Sequence, residues 1–417
     1  MRRISLNSLC LCALALFSSL TFGQVMIGAE RQTVEMDLYE GPDVTNKTHY
    51  GNCQWLYPLD EPNEPLAEQP DYRSARPYCY AARYGDARDN TYTIVLDESG
   101  GTGTGYDTVY ADVNNDNRID PKAEMFPFQL GTTRHAEPVR IRLTVSAGGR
   151  TFPYSFEFTA FPYKGTNHPI EKIHANCRNS SIFVGRAVFD GEEHEIGIAD
   201  LNSNGLFNDT EQGLFRGDRF FVDFDGDGSF QSSNNAESES YSYGRYTKIA
   251  GKWYTVKARP DGQSIEIAVA QPELATVKAP RGIGTVDLHS PAQSLHLVFS
   301  DGSAQAITGT YKVASVQLSL SDSRNRVWTA SGSFREEDMR LHVKPDADVQ
   351  LPEMLPLTVS VEPTGEAPFA EVSLSAKIVS PAGGAFRTAR SAGRPSGGFE
   401  IQDADGKRVA GADFEYG

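Results

Sequence analysis

Three stretches of this chain place oxygen-bearing side chains at alternating positions: DVNNDNRID (112–120), DLNSNGLFNDTE (200–211) and DFDGDGSFQ (223–231). Each opens on an aspartate, Asp112, Asp200 or Asp223. The third position is Asn114, Asn202 or Asp225, and the fifth is Asp116, Asn204 or Asp227. Carboxylate and amide oxygens at every second residue of a tight turn converge on one point. That arrangement suits a hard cation such as calcium, which takes oxygen ligands, and does not suit a metal that prefers imidazole or thiolate. The sixth residue is Asn117, Gly205 or Gly228, types that tolerate a left-handed backbone and let the chain reverse. The eighth is apolar, Ile119, Phe207 or Phe230, and is expected to lead the chain back into a core.

The loops differ in what would complete a coordination shell. The second meets every side-chain requirement of a twelve-residue EF-hand loop, with Glu211 at the twelfth position and Asp209 at the tenth. The first offers Asp120 at the ninth, and its pattern resembles the calcium hairpin of integrin-type propeller blades. The third has three clean carboxylates but Asn234 at the twelfth. On these grounds the second loop ranks first and the third last. Asp, Asn and Gly are also ordinary turn residues, so metal-free Asx-turn hairpins are the competing reading. Three aligned copies in one chain favour calcium, with the many Asn ligands pointing to weak binding of about 10⁻⁴ to 10⁻³ M.

The elements that must position these loops read as strands. Runs at 91–96, 139–145, 154–158, 295–299 and 316–320 alternate apolar and polar residues, and Asp-Gly turns at 261–262, 301–302 and 405–406 separate such runs. No segment shows a helical stripe longer than about two turns. The expected fold is all-β, built of antiparallel sheets and sandwiches in modules at 24–163, 164–278 and 279–417, the last immunoglobulin-like. The segment 58–77, dense in Pro, Glu and Asp, reads as an irregular surface loop. Gly100 to Gly105 reads as a flexible connection rather than a phosphate cradle, because no Lys-Ser/Thr or helix follows it.

Arg2 and Arg3 precede an apolar run from Leu9 to Leu20, and small residues stand ahead of Gln24. Residues 1–23 are therefore expected to be a secretory signal peptide, and the run is too short to be a transmembrane helix. The chain holds 39 basic and 55 acidic residues, a formal charge of −16. Such a balance argues against nucleic acid or an anionic membrane as partner and suits calcium ions. Of the cysteines beyond the leader, Cys53 and Cys79 are expected to form a disulfide across the 58–77 loop and Cys177 to be a buried thiol. The eight histidines show no zinc-protease spacing, and no Gly-x-Ser-x-Gly elbow occurs.

Asp97 to Asp107 running into the first loop, followed by two further Asp-Asn loops, resembles a group of uncharacterised secreted bacterial β-proteins with EF-hand-like loops. The resemblance spans about the first two thirds of the chain. It implies calcium binding and export and no reaction. The resulting expectation is a non-catalytic, calcium-stabilised protein of the cell exterior, surface or periplasm, engaged in adhesion or surface assembly. The alternative is a carbohydrate-binding protein or carbohydrate-active enzyme with structural calcium and an extracellular glycan as partner; Trp55, Tyr57, Tyr78, Tyr80, Tyr84 and the Tyr241 to Tyr246 run are candidates for a sugar-binding surface, with core and sheet packing the favoured use of these rings.

Overall fold

The computed structural model describes residues 31–40, 44, 53–59, 66–132, 137–163, 172–210, 217–230, 239–321, 327–334, 339–345, 347–364, 373–390, 398–402 and 405–413. The proposed signal peptide and Glu211 lie outside them. All thirty named elements are strands, which accords with the alternating pattern of the sequence. Among the described residues no helix is long and apolar enough to cross a membrane.

The chain divides into two compact units, with the boundary near Gln271. The first holds β1 (Arg31–Glu35), β2 (Asp37–Glu40), β3 (Cys53–Leu56), β4 (Tyr78–Arg83), β5 (Thr91–Asp97), β6 (Thr108–Ala111), β7 (Met125–Pro127), β8 (Val139–Ala147) and β9 (Arg150–Tyr163). It continues with β10 (Lys172–Asn179), β11 (Ser181–Phe189), β12 (Glu192–Ala199), β13 (Arg219–Asp223), β14 (Ser240–Ser242), β15 (Thr247–Ile249), β16 (Lys252–Ala258) and β17 (Ser264–Val269). These form four antiparallel sheets, ordered β3-β10-β9-β8, β4-β5-β6-β7, β14-β13-β12-β11-β2 and β1-β17-β16-β15.

The expected boundary at 163/164 cuts through one of these sheets. β9 and β10 pair from Lys172↔Tyr163 to Asn179↔Phe156, and β1, β2 and β3 each pair with a strand that follows residue 163. Residues 24–163 and 164–278 therefore belong to one unit, because strands from the start of the chain complete sheets formed later in it. A single apolar core joins the sheets, with Tyr80, Tyr84, Ile94, Tyr154, Phe156, Phe158, Phe207 and Phe220 almost wholly buried in it. Each such large side chain contributes about 1.5–3 kcal/mol through burial.

The 58–77 segment is not a free surface loop in its described part. Leu59, Leu66 and Tyr72 pack on a second small core of Cys79, Val95, Tyr110 and Ile119. Because Cys79 points into that core while Cys53 lies on another sheet, the expected Cys53–Cys79 disulfide is absent, and no disulfide joins Cys53, Cys79 or Cys177.

The second unit contains an eight-stranded sheet, in which strands Ile283–Ser290, Gly309–Ser321 and Val327–Ser333 are central, and a three-stranded sheet. Among the described residues its strand pairings are antiparallel except Leu274–Lys278 with Val349–Gln350.

Candidate metal centres

Each of the three loops joins two strands that pair with one another. The first connects β6 to β7, the second β12 to β13, and the third β13 to β14. Loops two and three thus sit at opposite ends of β13. They are hairpin loops, and their backbones share one conformation. The sixth residue has φ of 61° at Asn117, 76° at Gly205 and 78° at Gly228. The fourth residue is left-handed too, at Asn115 (57°), Ser203 (57°) and Gly226 (73°). Two left-handed residues in so short a span coil the chain tightly around the side chain of its first aspartate.

A ladder of hydrogen bonds repeats with that backbone. The sixth N–H donates to Oδ2 of the first aspartate, at 2.9 Å from Asn117 to Asp112, 2.6 Å from Gly205 to Asp200 and 3.0 Å from Gly228 to Asp223. The fifth N–H donates to the third side chain, Asn114, Asn202 or Asp225, at 3.1–3.2 Å. The seventh N–H donates to the fifth side chain, Asp116, Asn204 or Asp227, at 2.7–2.9 Å. The apolar eighth residue is buried in every copy, Ile119, Phe207 and Phe230 each being at most 1% exposed. Phe207 enters the main core, Ile119 the small core over Cys79, and Phe230 stacks on Phe221.

The third loop, ranked last from sequence, brings Asp223, Asp225 and Asp227 together so that one carboxylate oxygen of each lies within 4.8 Å of the others. In the second loop Asp209 Oδ2 accepts from Asn202 Nδ2 at 3.0 Å and from Asn204 Nδ2 at 2.5 Å, so the expected tenth-position acid does stand over the third and fifth residues. In the first loop Asp120 is exposed and turns one oxygen to the N–H of Lys122 at 2.9 Å.

A further acid accompanies every loop. Glu124, Asp218 and Glu239 each stand immediately before the return strand, β7, β13 or β14, and each is buried. Glu124 accepts from the N–H of Val113 at 3.0 Å and of Asp120 at 2.7 Å. Glu239 accepts from Phe224 at 2.9 Å, and Asp218 from Asp209 at 2.6 Å. In the first and third copies the acid holds the N–H of the second loop residue and in the second copy that of the tenth, tying the outgoing limb to the returning one. Glu124 is visible in the sequence as one place past the twelfth position. Asp218 and Glu239 were missed, because the signal is the start of the return strand and not a fixed count from the first aspartate.

Burial raises the carboxyl of Asp112, Glu124, Asp218 and Glu239 above the usual range, and neighbouring loop carboxylates add to the effect. Burial pushes Asp200 up to about 7, against hydrogen bonds from Gly205 and Tyr154 that pull it down.

The Gly100 to Gly105 run is neither a cradle nor a loose connection. It wraps Glu98, whose carboxylate receives hydrogen bonds from Thr102 Oγ1 and from the N–H groups of Gly103 and Gly105. The chain's own carboxylate fills the space an anion would take.

Comparisons with protein-family models, with curated proteins and with solved structures found no match for this chain, so its likenesses rest on the loop residues alone.

Proposed function

We propose that this chain is an exported, calcium-stabilised, non-catalytic β-protein with a structural, adhesion or surface-assembly role. The carrying observation is the recurrence of one loop conformation in three hairpins, with left-handed fourth and sixth residues and the same side-chain ladder. Convergent oxygens held by a fixed backbone lower the cost of organising a shell for a hard divalent ion. Each hairpin would be clamped by its ion, which binds the folded state and stabilises it by mass action on export into calcium. The basic start and apolar run of residues 1–23 support export. Calorimetric titration of metal-stripped protein tests this reading. Calcium should bind, Asp112→Ala and Asp200→Ala should each remove one class of site, and a flat titration of the wild type would refute it.

A second reading, glycan binding with structural calcium, is favoured by one surface. Trp55, Tyr57 and Tyr163 are 43%, 63% and 45% exposed, and Tyr57 and Tyr163 both pack on the ring of His174. Half-exposed aromatic faces suit stacking on sugar rings. Four of the other aromatics named from sequence are used elsewhere: Tyr80 and Tyr84 are core residues, Tyr78 packs on Tyr106, and Tyr243 is buried. Trp55→Ala should abolish retention on a polysaccharide gel if this surface binds glycan.

A further inference from the structure

We infer that the ion-binding unit of the second and third hairpins is the loop together with the acid before its return strand, so that Asp218 and Glu239 close those two sites from across the hairpin. This inference rests on the calcium reading of the loops and extends it to residues that no loop motif contains.

The recurrence is structural before it is electrostatic. Each acid, Glu124, Asp218 or Glu239, precedes a strand that pairs with the strand leading into the loop, and each holds a backbone N–H of its loop, that of Val113, Asp209 or Phe224. In two copies the backbone repeats as well, since the carbonyls of Glu124 and Glu239 accept from Ala111 and Val222, the residues just before the first aspartates. A brace alone needs an acceptor, which an amide oxygen supplies equally well. A carboxylate adds a charge in a place that already holds several.

In the first copy Glu124 spends both oxygens on N–H groups, but in the second and third the charge is left without a counterpart. Asp218 and Glu239 are each 1% exposed, and Asp218 Oδ1 and Glu239 Oε2 have no hydrogen-bond partner. Glu239 spends Oε1 on the N–H groups of Phe224 and Asp225, which places its carboxylate at the mouth of the third loop, beside Asp223 and Asp225. Asp218 spends Oδ2 on Asp209 and faces the charges of Asp200 and Asp209. Buried carboxylate oxygens without partners are costly and are normally paired or bound to metal. No Lys or Arg forms an ion pair with either acid among the described residues. A hard divalent cation held by the loop supplies the missing partner to the orphaned oxygen, directly or through a bound water. The acid then binds the return strand to the ion, so that one site fastens both limbs of its hairpin.

The test is calcium and terbium titration of the protein carrying Asp218→Asn or Glu239→Gln. These amides keep an oxygen for the bracing N–H and remove only the charge. Each variant is expected to weaken one class of site by about 10–100-fold while leaving the others unchanged. Its metal-free melting temperature should be equal to the wild type or higher, because an uncompensated buried charge has gone. Unchanged affinity combined with a lower metal-free melting temperature would make the acids braces only and overturn the inference while leaving calcium binding intact. Failure of the wild type to bind either ion would overturn the inference and the calcium reading together.

Discussion

Tyr154 donates its hydroxyl proton to Asp200 Oδ2 at 2.9 Å, both groups being fully buried. Tyr154 lies on β9 and packs against Tyr84 and Phe207 in the main core. The first aspartate of the second loop is thereby fixed by a strand of another sheet, and the loop becomes part of the core instead of an appendage. Removing the donor with Tyr154→Phe should cost about 1.5–3 kcal/mol, the range for a hydrogen bond to a charged group. Denaturant unfolding in calcium would show it, and an unchanged midpoint would contradict the anchoring.

Gly205→Ala and Gly228→Ala should differ, although both replace a left-handed glycine. Either costs about 1–2 kcal/mol for the backbone conformation. At Gly205 the added carbon would also stand 2.9 Å from the N of Gly85 and 3.1 Å from Tyr84 Cβ, whereas at Gly228 nothing lies within 4 Å. Crowding should add about 1–3 kcal/mol at Gly205 only. Equal melting temperatures for the two variants would refute the tight seating of the second loop.

Calcium uptake should release protons in mildly acidic solution. Burial holds Asp200 at about 7 against an ordinary value of 3.8. In metal-free protein the folded state therefore keeps a proton that the unfolded chain has lost. Its contribution to stability is full below the unfolded value and disappears as pH rises through about 7. A bound ion reverses the preference, because it requires the carboxylate. Calorimetry at about pH 6 in buffers of differing ionisation enthalpy should give buffer-dependent heats, whereas buffer-independent heats would place Asp200 outside the shell.

Reductant should leave the melting temperature unchanged, since no disulfide joins Cys53, Cys79 or Cys177. Burial raises the thiols of Cys79 and Cys177, which disfavours the reactive thiolate. Thiol titration of the native protein should leave these two unmodified, and denaturant should expose them. A fall in melting temperature with reductant would contradict the unbridged arrangement.

The strands and loops were legible in the sequence because their signals are local. Period-two alternation marks β5, β8 and β9 directly, and the first eight residues of each loop contain the whole left-handed turn and its apolar anchor. Long-range pairing was not legible. β1, β2 and β3 each pair with a strand that comes more than a hundred residues later, so a boundary drawn from local composition fell inside a sheet. The 58–77 segment misled for the same reason: its few apolar residues, Leu59, Leu66 and Tyr72, find their partners on β5, β6 and the first loop. Asp218 and Glu239 escaped because each is fixed by the start of a strand, at a different separation from its aspartate each time.

The central claim is that three hairpins of this fold are clamped by calcium. Its most direct test is the melting temperature of the protein, first stripped with chelator and then titrated to millimolar calcium. Saturation at about 100 times the dissociation constant adds about 2.7 kcal/mol for each site, so a rise of several degrees is expected. The rise should be partly lost in Asp112→Ala, Asp200→Ala and Asp223→Ala alike. A melting temperature that does not move with calcium would contradict the account.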